Sequence, residues 1–224
     1  MKVSCIVPVY NEAKRVSAVL DALIHHEMID EIIVVNDGST DDSELLLKEI
    51  KGIKFITYTK NKGKTQALKR GLQEAKNEWI MTIDSDLLGL TQADITALVN
   101  PIHDQDLHMT MSLRKNSLSL FKLFGLDFIS GERVFKKSLI PDLDQLDRLP
   151  KFGFEVFLND LLIAQKGSLG VVDWKEVVTP RKSVKFGFYA GYKADVKMFF
   201  ELVAVIGMTG MLRQLLKMRA LMKK

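Results

Sequence analysis

The sequence predicts an α/β protein in which helices flank a mostly parallel sheet. Short apolar runs alternate with segments of helical periodicity as far as Leu113, and this alternation is typical of parallel strands joined by right-handed crossovers. Each run ends in a polar turn, so the turns gather at one edge of the sheet. The 224 residues, 47% of them hydrophobic and 27% charged, suffice for one large domain.

Five apolar runs have the length and composition of buried strands. The run Ile32–Val35 is continuously β-branched or aliphatic, which is typical of a parallel strand covered on both faces. The run that begins at Trp79 ends abruptly in two carboxylates, Asp84 and Asp86. The predicted strands are Lys2–Val7, Glu31–Asn36, Ile53–Thr59, Trp79–Ile83 and Leu107–Leu113.

Four segments between these strands have the spacing of amphipathic helices. Gly38 permits the tight turn before the second helix, where Ser39–Asp41 offers side chains that can cap it. Thr91 and Asp94 have the spacing of a capping box at the start of the fourth. The predicted helices are Ala13–His26, Leu45–Ile50, Thr65–Lys76 and Thr91–Ile102.

Asp84 and Asp86 are the leading candidates for chemistry. In an extended chain, residues two apart point to the same side, so both carboxylates would aim beyond the carboxyl end of the strand. Such a pair suits Mg²⁺ or Mn²⁺, with substrate phosphate completing the coordination. The alternative is a polar turn that caps the next helix. A similar pair, Asp104 and Asp106, precedes a strand and therefore lies at the opposite edge, away from the expected ligand site.

The single cysteine, Cys5, lies in an apolar run, so no internal disulfide can form and a reducing compartment is expected. The first residues lack the character of a signal peptide. No stretch reaches the roughly 18 apolar residues of a membrane-spanning helix. We therefore expect a cytoplasmic protein, with peripheral attachment to the cytoplasmic face of a membrane as a further option.

Charge is distributed unevenly along the chain. Residues 181–224 carry a net charge of +8, whereas residues 1–180 carry −4. We therefore divide the chain into a domain over residues 1–180 and a tail of basic loop and amphipathic helix over residues 181–224. The tail predicts an aromatic–glycine loop at 186–192 and a helix from Asp195. One side of that helix would hold Met208, Leu212, Leu215, Met218 or Arg219, and Met222, and another Arg213, Lys217 and Lys224. The tail predicts an anionic partner, for which we favour a membrane surface or a phosphate over nucleic acid. Packing of the same helix on the domain, or in a homodimer, is the alternative.

Four segments, taken in order, resemble the signature of family 2 glycosyltransferases with the GT-A fold. That family includes dolichol- and polyprenol-phosphate sugar transferases. Later segments, Ser130–Phe135 and Phe152–Glu155, are similar to parts of the family that bind donor phosphates and acceptor, and Arg181–Gly187 to a late basic segment. The four segments are Ile6–Glu12, Val34–Asp41, Asn61–Lys64 and Asp84–Asp86.

The resemblance implies transfer of a sugar from a UDP or GDP sugar, with inversion at the anomeric carbon. Asp84 and Asp86 would hold Mg²⁺ or Mn²⁺, and Asp86 would thereby take part in catalysis. The acceptor is not identified, and a polyprenyl phosphate is one candidate. The expected nucleotide-sugar-binding residues are Pro8, Tyr10, Glu12, Asp37, Lys64, Asp84, Ser85, Arg133, Arg181 and Lys185. Helix capping is the alternative role for Glu12 and Asp37.

Glu155 is the candidate general base for an acceptor hydroxyl. It opens an apolar stretch with helical character, and the alternative is a first-turn glutamate favoured by the helix dipole. An acceptor that is already a phosphate anion would need no base, and Glu155 would then orient a substrate or a basic side chain.

Two positions depart from the family pattern. Leu88 stands where many members carry a third metal contact, and Thr179 stands where many have a histidine. With Leu88 there, the metal would be held by two carboxylates, phosphate oxygens and water. Independently of these departures, a non-catalytic relative that binds nucleotide or serves as a scaffold is the alternative to the enzyme. A nucleotidyltransferase is disfavoured because Pro8–Glu12 lacks a glycine-rich basic loop.

Overall fold

A computed structural model describes residues 1–149, 153–180 and 207–223. In these residues seven strands form one sheet in the order β3-β2-β1-β4-β6-β5-β7. Neighbours pair in parallel except at β6, which is antiparallel to both β4 and β5. The strands are β1 Val3–Val9, β2 Ile29–Asn36, β3 Lys54–Thr57, β4 Trp79–Thr82, β5 Met109–Arg114, β6 Arg133–Lys136 and β7 Leu169–Trp174. The predicted mostly parallel α/β architecture is confirmed.

Helices cover both faces of this sheet. The five predicted strands and four predicted helices correspond to β1–β5 and α1–α4, with ends that differ by a few residues. The capping box of Thr91 and Asp94 is present at the start of α4. The helices are α1 Val16–Leu23, α2 Ser43–Glu49, α3 Lys64–Glu74, α4 Gln92–Asp104, α5 Ser119–Phe124, α6 Gly153–Ala164 and α7 over residues 207–221, with short 3₁₀ helices at Lys137–Leu139 and Leu143–Arg148.

The first strand is longer than predicted because pairing continues through Pro8. Parallel pairing between β1 and β2 runs as far as Val9, opposite Asn36. Pairing between β1 and β4 ends earlier, at Ile6 opposite Thr82. Beyond Ile6, therefore, β1 pairs with a strand on one side only. Pro8, which has no N–H to donate, is tolerated there because a proline is accommodated where one side of a strand is unpaired.

Two apolar layers hold the helices on the sheet. One contains buried side chains of α1, α2 and α4, such as Leu20, Leu47 and Leu98. The other contains buried side chains of α3, α6 and α7, such as Leu68 and Leu158. Burial on both faces explains why β1 and the Ile32–Val35 part of β2 consist almost entirely of Val, Ile and other apolar residues.

The reversed strand β6 matters for the site. Arg133, its first residue, lies opposite Thr82 at the end of β4 and Met111 near the end of β5. The chain therefore leaves β5 and enters β6 at the same edge of the sheet. The connection 115–132, which includes α5, begins and ends at the edge where β1, β2 and β4 terminate.

Helix α7 packs on the domain through a face that differs from the sequence prediction. Met211, Leu215 and Met218 are buried in the core, whereas Met208 and Leu212, which we grouped with Leu215, are exposed. The predicted aromatic–glycine loop at 186–192 and the predicted helix start at Asp195 lie outside the described residues. Of the helices in the described ranges, none has the length and apolar character needed to cross a bilayer.

Gly38 provides a test of how the loops are packed. It has φ of +68°, and a Cβ there would lie 2.6 Å from the backbone nitrogen of Asn61. Gly52 has a similar φ of +83°, but a Cβ there would meet only Ile24, at 3.8 Å.

We expect Gly38→Ala to destabilise the fold by clearly more than Gly52→Ala. Both substitutions carry the left-handed backbone cost of about 1–2 kcal/mol, but only the first forces two backbones apart. Urea denaturation of both variants gives the comparison. Equal free energies of unfolding would show that the two loops do not approach as closely as described.

Candidate active site

Asn11 joins the loops that follow β1 and β2. Its backbone N–H donates to Ser39 Oγ at 2.9 Å, and its side-chain oxygen accepts from the Thr40 N–H at 2.7 Å. The Glu12 N–H then donates to Ser43 Oγ at 3.0 Å. Ser39 and Thr40, offered by the sequence as helix caps, therefore bind the neighbouring loop instead.

Asp41 serves both elements. One carboxylate oxygen accepts from the N–H of Ser43, the first residue of α2, at 3.0 Å. The other accepts from the Ala13 N–H at 3.1 Å. The pKa of Asp41 is held below its usual value because these hydrogen bonds to the carboxylate outweigh its desolvation. The N-cap of α2 is Asp42, so Asp41 binds the start of the helix from the preceding position, and the same side chain also fixes the first loop.

Asp37 ties a third loop to the same edge. Its side chain is buried, and its two oxygens accept from the N–H groups of Lys62 and Gly63, each at 2.8 Å. Gly63 is the N-cap of α3, where a carboxylate is favoured by the helix dipole. Asp37 therefore stabilises the start of α3, whatever it contacts in a ligand.

The other residues expected at the nucleoside lie around this rim. Pro8 is buried in β1, and Tyr10, the first residue after β1, is 45% exposed. Glu12 is 8% exposed, and its carboxylate accepts from the Arg15 guanidinium at 2.8 Å. The edge thus offers an exposed aromatic ring beside buried carboxylates, a combination that suits a base and its N–H groups.

Asp84 and Asp86 lie beyond β4, but not in an extended chain. The strand ends at Thr82, and Ser85 and Asp86 form a turn. The extended-chain argument for their shared direction was therefore wrong. Desolvation opposes the charge of the nearby Arg114 guanidinium, but its carboxylate neighbours, Asp84 and Asp86 among them, raise its pKa above the usual value. The two aspartates therefore both contribute to the electrostatic surroundings of one buried arginine.

Gly131 makes room for the Asp84 carboxylate. A Cβ at Gly131 would lie 2.6 Å from both oxygens of Asp84. Thr82, the last residue of β4, donates its hydroxyl to the Gly131 carbonyl at 2.7 Å. The start of β6 therefore forms a wall against which Asp84 is held.

Lys64 is the centre of the site. Its ammonium lies 2.6 Å from Asp84 and 2.9 Å from Glu155. As the first residue of α3, it places a positive charge at a helix amino terminus, which the helix dipole disfavours. Desolvation also works against this charge, but the two carboxylates prevail and raise the pKa of Lys64 above its usual value. Lys64 is therefore a fixed cation between Asp84, a predicted metal ligand, and Glu155, the predicted general base.

Glu155 lies in the first turn of α6 and is 4% exposed. Its position agrees with the first-turn glutamate that the sequence offered as an alternative. It also lies 2.9 Å from the Lys64 ammonium, a contact that the alternative role of orienting a basic side chain would require. The structure thus brings Lys64, Asp84 and Glu155 into one cluster.

A buried charge network behind Asp84 was not predicted. Arg114 donates to Glu132 at 3.0 Å and lies 3.3 Å from Asp127. Glu132 also accepts from the hydroxyls of Ser112 and Ser130, each at 2.7 Å. Desolvation and the nearby Asp84 charge raise the pKa of Glu132. The sequence signal was available, since an arginine ending β5 belongs to the same edge as Asp84.

Arg133 does not fit its predicted role at a donor phosphate. It is fully buried, and its guanidinium donates to the carbonyls of Ser130 and Phe128 and to Asn159 at 2.6–2.7 Å. Burial lowers its pKa to about 10, which leaves it charged at neutral pH. Its alternation in β6 directs it into the core beneath α6, so it supports the site from behind.

The two departures from the family pattern have structural counterparts. Leu88 is 42% exposed, and its backbone pairs with Val178. Thr179 exchanges two hydrogen bonds with the Asn116 side chain. Leu88 has no side-chain donor or acceptor to offer a metal. The predictions for Arg181 and Lys185 lie outside the described residues.

The carboxylates fit a hard divalent cation. Within the described ranges, no group of three or more His, Cys, Asp or Glu side chains is arranged to hold a metal, so Asp84 and Asp86 would need oxygens from the substrate. The ammonium of Lys64 already lies 2.6 Å from Asp84, so this carboxylate does attract a cation. Oxygen ligands shared between protein and phosphate are the usual surroundings of Mg²⁺.

A family model for glycosyl transferase family 2 matches residues 4–139, more than half of the chain. The chain belongs to glycosyl transferase family 2. A poly-β-1,6-N-acetyl-D-glucosamine synthase of Staphylococcus epidermidis is 34% identical over 88 residues, which cover 38% of this chain and 21% of that protein. A dodecaprenyl-phosphate galacturonate synthase of Rhizobium johnstonii is 27% identical over 125 residues, which cover 52% of this chain and 37% of that protein.

The chain therefore spans less than two fifths of the length of these two relatives. Among solved structures, a glucosyl-3-phosphoglycerate synthase from Mycobacterium tuberculosis, in complex with Mn²⁺, UDP and phosphoglyceric acid, superposes with a TM-score of 0.68. It is 20% identical, over 89% of this chain and 78% of that chain. At this identity the similarity shows the fold, and the expected GT-A architecture is confirmed.

We expect Lys64→Met to bind Mn²⁺ more tightly than the unaltered protein when no nucleotide is present. The substitution removes a cation that competes for Asp84, and a tenfold gain in affinity corresponds to about 1.4 kcal/mol. Calorimetric titration with Mn²⁺ measures this. Lys62→Met is the matched control, because its ammonium lies over the Tyr58 ring at 4.3 Å. Unchanged Mn²⁺ affinity in Lys64→Met would show that the Lys64 ammonium does not compete with the metal for Asp84.

Proposed function

We propose that this protein is a glycosyltransferase that moves a sugar from a nucleotide-diphosphate sugar to an acceptor with inversion at the anomeric carbon. The observation that carries the proposal is the Lys64 ammonium between Asp84 and Glu155, at 2.6 and 2.9 Å. It unites a phosphate-neutralising cation, a candidate metal ligand and a candidate base at the carboxyl edge of the sheet. Family membership supports the reaction class.

The donor half of the site would be formed by the loops that follow β1, β2, β3 and β4. Asp37 and Tyr10 would meet the nucleoside, and Asp84, Ser85 and Asp86 the diphosphate. A bound Mg²⁺ or Mn²⁺ would neutralise charge on the departing diphosphate. The Mycobacterium structure with Mn²⁺ and UDP supports this choice of metal and makes UDP the first nucleotide to test.

The chemical step would break the bond between the anomeric carbon and the diphosphate oxygen as an acceptor oxygen attacks from the opposite side. Lys64 would stabilise the negative charge on the leaving group. With a hydroxyl acceptor, its proton would pass to the Glu155 carboxylate. With a phosphate acceptor no proton moves, and Glu155 would keep Lys64 in position.

For the acceptor we favour a phosphate-bearing molecule. Two similar proteins are associated with such compounds: the dodecaprenyl-phosphate galacturonate synthase, and the glucosyl-3-phosphoglycerate synthase in complex with phosphoglyceric acid. Arg181 and Lys185 remain proposed ligands for it. A polyprenyl phosphate would require the enzyme to work at a membrane surface, and the lone buried Cys5 is consistent with the cytoplasmic side.

No specific observation favours the non-catalytic alternative, because the polar groups required for transfer lie together. A thermal-shift panel of nucleoside diphosphates and their sugars, with and without Mn²⁺, tests the proposal. A ligand at 100 times its dissociation constant stabilises the folded state by about 2.7 kcal/mol. A panel without any stabilising nucleotide would contradict donor binding.

We expect Asp86→Asn to abolish the strengthening of UDP binding by Mn²⁺, because one of two carboxylates that would hold the metal is lost. Calorimetry of UDP binding with and without Mn²⁺ measures the effect. Asp104→Asn is the control, since Asp104 is exposed at the end of α4. The metal assignment fails if both variants respond to Mn²⁺ as the unaltered protein does.

Glu155→Gln distinguishes the two acceptor classes. With a hydroxyl acceptor we expect turnover to fall about 10²–10⁴-fold, because the general base is lost. With a phosphate acceptor the loss should be much smaller. Affinity for UDP serves as the internal control and should change little. Near-normal turnover with a hydroxyl acceptor would exclude Glu155 as the base.

A further inference from the structure

Exposed apolar side chains concentrate on two segments of the described chain, residues 115–126 and 207–223. These segments hold six of the ten large hydrophobic residues that are exposed among the described residues. Leu123 is the most exposed, at 76%, although it lies in a helix whose Phe121 is buried. We call this surface the leucine patch, and its members are Leu118, Leu120, Leu123, Met208, Leu212 and Leu216.

Helix α7 is held so that its part of the patch cannot turn inward. The side-chain amide of Gln214 accepts a hydrogen bond from Asn159 at 2.9 Å. It donates to the Val156 carbonyl at 3.2 Å and to the Asp160 carboxylate at 2.9 Å. These contacts bury the face that contains Leu215. Met208, Leu212 and Leu216, which follow one another at intervals of four residues, form a second apolar stripe that stays outside the core.

The two segments adjoin. The Arg219 guanidinium of α7 lies 6.0 Å from the centre of the Phe124 ring at the end of α5. A Cβ on Gly125 would lie 3.9 Å from the side chain of Met222. The exposed leucines of α5 and the outer stripe of α7 therefore belong to neighbouring helices on the same layer of the domain.

All charged residues within the two segments are basic, and of these Lys115 is paired with Glu176, outside the segments, at 3.0 Å. Neither segment contains an aspartate or glutamate, and together they contain six basic residues. Among these, Arg213 and Lys217 are exposed on α7 beside Leu212 and Leu216. The basic residues are Lys115, Lys122, Arg213, Lys217, Arg219 and Lys223.

We propose that the leucine patch docks the protein on the surface of an anionic lipid bilayer. Exposed leucines insert at the level of the headgroups while lysine and arginine meet lipid phosphates, which is how interfacial helices bind. A second copy of the chain is a poorer occupant, because a symmetric contact would set the same six basic residues against one another. The inference deepens the proposed function, yet binding does not depend on which acceptor is used.

The position of the patch suits a lipid-linked substrate. Helix α7 is bonded to the first half of α6 through Gln214 and Val156, and α6 begins beside Glu155 of the candidate site. Segment 115–132 likewise starts and ends at the site edge. A bilayer on this surface would contact the helix that is bonded to α6, the element that supplies Glu155.

Vesicle flotation of the full-length protein tests the proposal. Vesicles of phosphatidylglycerol and phosphatidylcholine at low salt should carry the protein upward, and vesicles of phosphatidylcholine alone should not. Leu212→Ser/Leu216→Ser should reduce the partition coefficient about tenfold, with Leu45→Ser as control because Leu45 is 66% exposed on α2, on the other layer. Arg213→Glu/Lys217→Glu should have a similar effect, with Lys14→Glu/Lys51→Glu as the charge-matched control.

Three outcomes would overturn the proposal. The full-length protein fails to float with anionic vesicles at low salt, or the patch and control variants float equally. In the third outcome, the protein is a dimer in solution, and Leu212→Ser/Leu216→Ser converts it to a monomer without changing lipid binding. That result would show that a second copy of the chain covers the patch. Thermal melting confirms that each variant is folded. UDP calorimetry reports on the proposed function separately, so a failure of lipid binding is not mistaken for loss of the donor site.

Discussion

The organisation of the site depends on one ammonium group. Lys64 connects the start of α3, the end of β4 and the start of α6 through its contacts with Asp84 and Glu155. Without it, two carboxylates from different elements would face each other at the amino end of a helix. Helix α3 and strand β4 belong to the parallel half of the domain, whereas α6 belongs to the later half. The two ion pairs of Lys64 therefore link these halves at the position where substrate is expected.

The parallel half could be predicted from sequence because its signals are local. The run Ile32–Val35 and the turn at Gly38 carry their own conformational preferences, and strands of this kind are ordered by chain connectivity. The loops after β1 and β2 could be placed at one edge by the same reasoning. Their mutual hydrogen bonds through Asn11 could not, since which polar side chain caps a helix and which binds a neighbouring loop depends on distances between segments.

The later half was less predictable because its arrangement is set by tertiary contacts. Strand β6 has four residues and is defined by its neighbours β4 and β5. Arg133 looked like a phosphate ligand by resemblance, yet alternation along β6 directs it inward to Asn159. Helix α7 has apolar residues on most of its circumference. The hydrogen bonds of Gln214 and packing in the core determine that the stripe containing Leu215 is buried and the stripe containing Leu212 is exposed. Periodicity alone cannot choose between two apolar stripes.

The single reversed strand also bears on how such a domain can diversify. Segment 115–132 departs from β5 and rejoins the sheet through β6 at the same edge, and its two ends are fastened by the Arg114 contacts with Asp127 and Glu132. An insertion or deletion between these anchors would leave strand order and register unchanged. Evolution could therefore exchange the segment as a cassette and alter what approaches Asp84 from the later half, while the parallel half of the sheet is inherited intact.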